Sequence, residues 1–161
     1  MSYKKRIRQI MTREVIALSQ SASAESAASV MVTQSIGCVI IIDDSQKPLG
    51  IVTERDLVTK VVATNQSAKI KLKDIMTTPL IKIYETSSLS VAARHMLKHN
   101  IKRLPVINHQ GILNGVLTSS DILRETISDS SLSEEEMLEY IATALSLIRE
   151  SDKNLNQIGF D

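Results

Sequence analysis

Apolar and polar positions along the chain alternate between two periods, and the alternation predicts the elements. Short extended runs over 15–18 and 80–83 each lead through a Ser/Thr-rich turn into a stretch of helical spacing. The predicted helices cover 25–34, with Ala27, Val30 and Met31 on one face, and 91–99, with Ala92, Met96 and Leu97. Two strand-like runs follow each helix, over 37–42 and 49–52 and again over 103–107 and 115–117. The segments between them, 43–48 and 108–111, are turn chemistry: Asp43, Asp44 and Pro48 in one, Asn108 and Gly111 in the other. A second helix opens at Thr53 and another at Thr118.

The pattern occurs twice because the sequence does. Ile10-Met11-Thr12 returns as Ile75-Met76-Thr77, and Gly50, Thr53 and Asp56 return as Gly115, Thr118 and Asp121, always 65 positions on. No gap is needed between 10–57 and 75–122, where 13 of 48 positions are identical, so the chain is an internal duplication. Each unit reads β-α-β-β-α, about 50 residues, which is too small to bury a core alone. The expectation is an α+β fold in which two pseudo-symmetric repeats, 8–65 and 66–128, pack into one module, with a C-terminal amphipathic helix over 133–151.

Composition adds limits. The 161 residues are 43% hydrophobic, which suffices for a globular core. The longest apolar run, around 39–42, falls far short of the roughly 20 residues of a membrane span, so no membrane partner is expected. No apolar stretch follows the basic start, which excludes a secretory signal there. The single Cys38 fits a reducing cytoplasm. Aromatic residues make up 2%, with no Trp, which argues against stacking platforms for single-stranded bases. The net charge of +1 hides a division: from Ser128 onward eight acids face two bases, a tail of −6 behind a body of +7. The basic body is compatible with an anionic ligand.

The duplicated Gly-x-x-Thr-x-x-Asp has two readings. One is a capping box, with Thr53 or Thr118 as N-cap and the Asp three residues on reaching back. The other is a ligand site: free N–H groups at a helix start suit a phosphate, and an Asp one turn in can accept both hydroxyls of a ribose. Duplication does not separate them, because a cap would be duplicated too.

The order Ile-Met-Thr, an Ala-rich helix, an Ile/Leu-rich β pair and Gly-h-x-Thr-x-x-Asp, given twice, resembles the CBS-domain family, the modules first named for cystathionine beta-synthase. Asp74-Ile-Met-Thr-Thr-Pro79, Arg103-Leu-Pro-Val106 and Gly115-Val-Leu-Thr118-Ser-Ser-Asp121 carry the resemblance, which covers roughly 8–128. It implies two clefts between the repeats, an adenosine derivative (AMP, ADP, ATP or S-adenosylmethionine) as regulatory ligand, and a homodimer. In the second cleft it implies Asp121 on the ribose, and Thr118 and Ser120 at ribose or phosphate. Pro79, Leu80 and Ile81 would border the adenine, Lys102 and Arg103 would supply charge, and Pro105 lies in the same segment. In the first cleft it implies Thr53 and Asp56, with Val15 and Ile16 near the base. That cleft departs from the pattern. Gly37 and Cys38 stand where the second has Lys102 and Arg103, Glu14 stands where it has Pro79, and only Arg55, in place of Ser120, could compensate. The second cleft is expected to bind more tightly.

Other constellations are weaker. His95 and His99 have metal-ligand spacing without a third ligand, so no metal is expected. No P-loop, His-Glu-x-x-His or nucleophile elbow is present, so neither an enzyme nor a resident cofactor is expected. The basic cluster from Lys4 to Arg8 leaves an accessory nucleic-acid binder as one alternative, and a dimerisation adaptor with empty clefts is another. In the tail, Ser133 to Glu136 forms a capping box for a helix over 134–150. Its stripe of Met137, Ile141, Ala144, Leu145 and Ile148 would lie on the module itself, on a dimer partner or on another protein.

Overall fold

The computed structural model describes residues 5–129, 131–142 and 146. It is α+β, with two three-stranded sheets and helices beside them. The elements are β1 (Ala17–Ser19), α1 (Ala24–Gln34), β2 (Cys38–Ile42), β3 (Pro48–Thr53), α2 (Glu54–Leu57), running on as a π turn over Val58–Val62, and α3 (Leu72–Ile75). The second series is β4 (Ile83–Tyr84), α4 (Leu89–His99), β5 (Arg103–Ile107), β6 (Leu113–Thr118) and α5 (Ser119–Ser128). Every predicted helix and strand of the two repeats is present. The leading strands are shorter than predicted and start later, so Val15, Ile16, Leu80 and Ile81 lie just ahead of them.

The local chemistry of the two series is the same. Ser23 caps α1 by accepting from the Ser26 amide, and Ser88 caps α4 from Val91. Both helices stop on a left-handed residue, Ser35 at φ 53° and Asn100 at φ 51°. Strand order is β1-β2-β3 in one sheet and β4-β5-β6 in the other. In the first, β1 runs parallel to β2, with Ala17 opposite Ile40. β3 returns antiparallel, from Cys38 opposite Thr53 to a bulge between Ile41 and Ile42.

The chain divides into two compact units that do not coincide with the sequence repeats. The Asp56 unit takes Glu14–Lys82 and Ile107–Asn114. Its buried cluster joins Ala24, Ala27 and Met31 of α1 and Val39, Ile41 and Val52 of the sheet to Leu72 and Ile75 of α3. A repeat too short to close its own core is completed here by the opening segment of the next repeat. The Asp121 unit takes the described residues of Met1–Arg13, Ile83–Val106 and Gly115–Asp161. Ile7, Met96, Leu104, Leu117 and Ile122 are fully buried in it, and α4 packs on α5.

Each unit therefore receives an Ile-Met-Thr segment from outside its own β pair, and the docking is the same in both. Thr77 exchanges two backbone bonds with Ile51 (2.9 and 3.3 Å), and Thr12 exchanges two with Val116 (3.0 and 2.9 Å). The conserved spacing of Gly50 and Gly115 is explained by that contact. A Cβ on Gly50 would meet Met76 Sδ at 2.8 Å and the Thr77 carbonyl at 2.9 Å; on Gly115, Met11 Sδ at 2.7 Å and the Thr12 carbonyl at 2.9 Å.

The tail helix is observed over 134–142, opened by the expected capping box: the Ser133 amide and hydroxyl each reach Glu136 Oε2 at 3.1 Å, and the Glu136 amide returns to Ser133 Oγ at 3.2 Å. Ala144, Leu145 and Ile148 of the predicted stripe lie outside the described residues. The stripe reading overlooked Tyr140, which is the buried residue of that segment. Burial, with Glu136 and Glu139 close by, pushes its phenol above the usual value, against the opposing influence of Ser90 and Arg94 on α4.

Candidate functional site

Both Thr-x-x-Asp motifs sit where a β strand turns into a helix, and both form the capping box in full. At Asp56, Oδ2 accepts from the Thr53 amide at 2.8 Å and the Thr53 hydroxyl at 2.9 Å, while the Asp56 amide donates to Thr53 Oγ1 at 3.2 Å. At Asp121, Oδ2 accepts from the Thr118 amide at 2.8 Å and hydroxyl at 2.7 Å, and the Asp121 amide returns to Thr118 Oγ1 at 3.1 Å. The cap thus takes one carboxylate oxygen in each motif, so a two-oxygen grip on a ribose is not open to either aspartate as it stands. A second expectation is narrowed as well. The amide of the first helical residue is already bound, Glu54 to the Gly37 carbonyl at 3.1 Å and Ser119 to the Lys102 carbonyl at 2.9 Å. These bonds leave Arg55 and Ser120 as the first-turn amides they do not engage.

The two aspartates part company at Oδ1. Asp56 Oδ1 is 2.8 Å from Lys60 Nζ, and the Thr77 hydroxyl stands at 3.4 Å. A carboxylate has about four acceptor positions, and all four of Asp56 are thereby addressed. Burial pushes its carboxyl up. The Lys60 ammonium and the Thr53 amide and hydroxyl outweigh that and hold it below the ordinary carboxylate range. Asp121 Oδ1 instead accepts, among the described residues, from Arg124 alone, at 3.3 Å, and the Arg124 side chain is 76% exposed. Such an exposed pair contributes about 0–1 kcal/mol and yields readily to a ligand.

The remaining expected residues fall into two groups. Thr53, Arg55 and Asp56 share the Asp56 unit with Val15 and Ile16, the last two half-buried and Arg55 exposed. Thr118, Ser120 and Asp121 share the Asp121 unit with Lys102, Arg103 and Pro105. Lys102 and Arg103 are half-buried at the start of β5, and Pro105 is buried within that strand, so it serves packing. Pro79, Leu80 and Ile81 belong to the Asp56 unit, Pro79 exposed and the other two half-buried.

Sequence reasoning missed Lys60, and read Thr77 and the two glycines only as marks of the duplication. The signal for the glycines was their duplication together with Ile-Met-Thr. The signal for Lys60 was a mismatch, because the position 65 residues on is Glu125. Glu125 turns elsewhere: it pairs with Lys5, which also lies 3.9 Å from Asp129. Lys5, Glu125 and Asp129 border a cavity of about 20 Å³ with Ser88, Ser90 and Tyr140, room for one water and far too little for a nucleoside. The neighbouring Arg6 guanidinium donates to the Thr86 carbonyl at 3.0 Å, so two of the basic N-terminal side chains are spent within the fold. His95 and His99 place their rings 6.0 Å apart, and the buried His95 Nδ1 has no hydrogen-bond partner among the described residues. Those residues hold no group of three metal-ligating side chains and no helix long and apolar enough to cross a membrane.

Known proteins place this geometry. The chain is 35% identical over 133 residues to an uncharacterized protein of Methanopyrus kandleri, covering 82% of this chain and 68% of that one. It is 31% identical over 132 residues to an uncharacterized protein of Methanocaldococcus jannaschii, covering 74% of this chain and only 31% of that longer protein. Among solved structures, the CBS domain pair of protein MJ0100, in complex with 5'-methylthioadenosine and S-adenosyl-L-methionine, superposes with a TM-score of 0.67 at 29% identity, over 74% of this chain and 94% of that one. The profile of the CBS domain matches twice, at 7–63 and 72–128, so that the duplication, the paired three-stranded sheets and the twin Thr–Asp caps are those of a tandem pair, and the chain belongs to the CBS-domain family.

Proposed function

We propose that this chain is a regulatory module that binds an adenosine derivative and catalyses no reaction, with Asp121 as its principal ribose contact. The observation that carries the preference for Asp121 is its Oδ1, held by one exposed arginine where the Oδ1 of Asp56 is held by a lysine and a threonine. Thr118 and the cap fix the carboxylate, and Oδ1 accepts a ribose hydroxyl once Arg124 swings aside. The Ser120 amide at the start of the ten-residue α5 suits a phosphate, with Lys102 and Arg103 supplying charge-assisted bonds. Two cations there favour a phosphate-bearing ligand over a cationic sulfonium. Val15, Ile16, Thr53, Arg55 and Asp56 form the weaker set. The adenosine ligands of the MJ0100 pair support the ligand class. Ligand binding regulates by favouring one arrangement of the chain, or of a homodimer, over another.

Thermal shift with AMP, ADP, ATP and S-adenosylmethionine tests this. At 100 times Kd a ligand adds about 2.7 kcal/mol, a rise of about 5–10 °C for a chain of this size. Asp121→Ala should abolish most of the rise and Asp56→Ala little of it. The reverse order refutes the assignment, and no shift with any of the four at millimolar concentration refutes the ligand class.

A further inference from the structure

Lys60 has three N–H donors, and each has an acceptor. They are Asp56 Oδ1 at 2.8 Å, the Ile75 carbonyl at 2.8 Å and the Thr77 hydroxyl at 3.3 Å. The Asp56 side chain is 12% exposed and that of Lys60 39%, so the pair lies at the rim of the unit and not deep in it. Lys60 reaches Asp56 from the π turn Val58–Val62, one turn beyond the carboxylate, where its backbone departs from the regular helix that follows Asp121. In the other repeat the same position carries Glu125, which points its carboxylate to Lys5, and Asp121 is left with Arg124. The difference in sign at one duplicated position thus accompanies a filled carboxylate in one unit and a part-filled one in the other.

Resting on the ligand reading above, we infer that Lys60 is the specificity-determining residue of the first site: its ammonium takes the acceptor position that a ribose hydroxyl would need and keeps Asp56 from binding a nucleoside. A ligand at Asp56 must displace a cation that is fixed by three acceptors. At Asp121 it displaces an arginine that is mostly in solvent. Because all three donors are engaged, the ammonium is also not available to a phosphate. The chain then binds a single adenosine ligand although it carries two copies of the motif.

Isothermal titration of the full chain with AMP measures this as stoichiometry. The wild type should bind one equivalent, removed by Asp121→Ala. Lys60→Met should add a second equivalent, with affinity at the first site raised about tenfold or more. Lys60→Gln, which keeps a donor without the charge, is the companion variant should Met perturb folding, checked by circular dichroism. Lys60→Arg should restore a single equivalent, which loss of a merely structural lysine would not predict. One equivalent in wild type and in both neutral variants overturns the inference. So does wild type binding two equivalents with one lost in Lys60→Met, because Lys60 would then be a ligand contact. A wild type that binds none while Lys60→Met binds one keeps the inference and removes the Asp121 reading. No binding to either removes both.

Discussion

Gly115→Ala tests whether the docking of Ile-Met-Thr on the β pair sets the stability of the Asp121 unit. The added Cβ would stand 2.9 Å from the Thr12 carbonyl and 2.7 Å from Met11 Sδ, where ordinary contact begins at 3.4 Å. The methionine sulfur can swing away. The carbonyl cannot, because Thr12 is held to Val116 by bonds of 3.0 and 2.9 Å. Relief of about half an ångström must come from that bridge. Overpacking of this kind costs about 1–3 kcal/mol. Weakening two backbone bonds, each with a net contribution of about 0.5–1.5 kcal/mol, adds about another 1 kcal/mol. Against this, replacing glycine at a compatible backbone angle stabilises by about 0.4–1 kcal/mol through the unfolded chain. The net expectation is a loss of about 1–3 kcal/mol, or about 3–10 °C in Tm. Urea denaturation followed by circular dichroism measures it, with Gly50→Ala expected to match, since its Cβ would meet the Thr77 carbonyl at the same 2.9 Å. Gly111→Ala is the control. It has open space around the Cβ but φ of +78°, so its cost of about 1–2 kcal/mol is conformational and is not relieved by trimming a neighbour. If Gly115→Ala lies within about 0.5 kcal/mol of wild type, the carbonyl contact is not what keeps glycine there.

Two further outcomes follow from burial and charge. Asp56 titrates below its ordinary value of 3.8, so its stabilising contribution is complete above that pH and disappears as the pH falls through the lower folded value. Asp56→Asn should therefore be less stable than wild type at neutral pH, with the gap in Tm closing only below about pH 4; a gap that closes near neutrality would show that another group is responsible. Leu117→Ala, at a fully buried position in β6, should lose about 2–5 kcal/mol in urea denaturation, while Leu138→Ala, 62% exposed, should stay within about 0.5 kcal/mol; comparable losses would mean that the 134–142 helix is buried against something.

Much of the fold was legible because the relevant physics is local. Ser23 and Ser88 cap their helices through an amide three residues on, and Thr53 and Thr118 do the same, so a period and a cap suffice to place four helix starts. What was not legible depends on where distant segments return. Sequence spacing alone does not say that Leu72 and Ile75 complete the core under α1, or that Thr12 docks beside Gly115, more than a hundred residues away. The compact units therefore cross the repeat boundaries. The same limit applies at the site. Two identical Thr-x-x-Asp motifs predict two identical carboxylates, and at Oδ2 they are identical to within about 0.2 Å. They diverge at Oδ1, where the partner of Asp56 is a lysine anchored on Ile75 and Thr77, residues 15 and 17 positions on in sequence. A duplicated motif preserves the cap because the cap is built from the motif's own atoms. The remaining acceptor is set by a residue outside the motif, Lys60 in one half where the repeat offset places Glu125 in the other, so that equal caps carry unequally filled carboxylates.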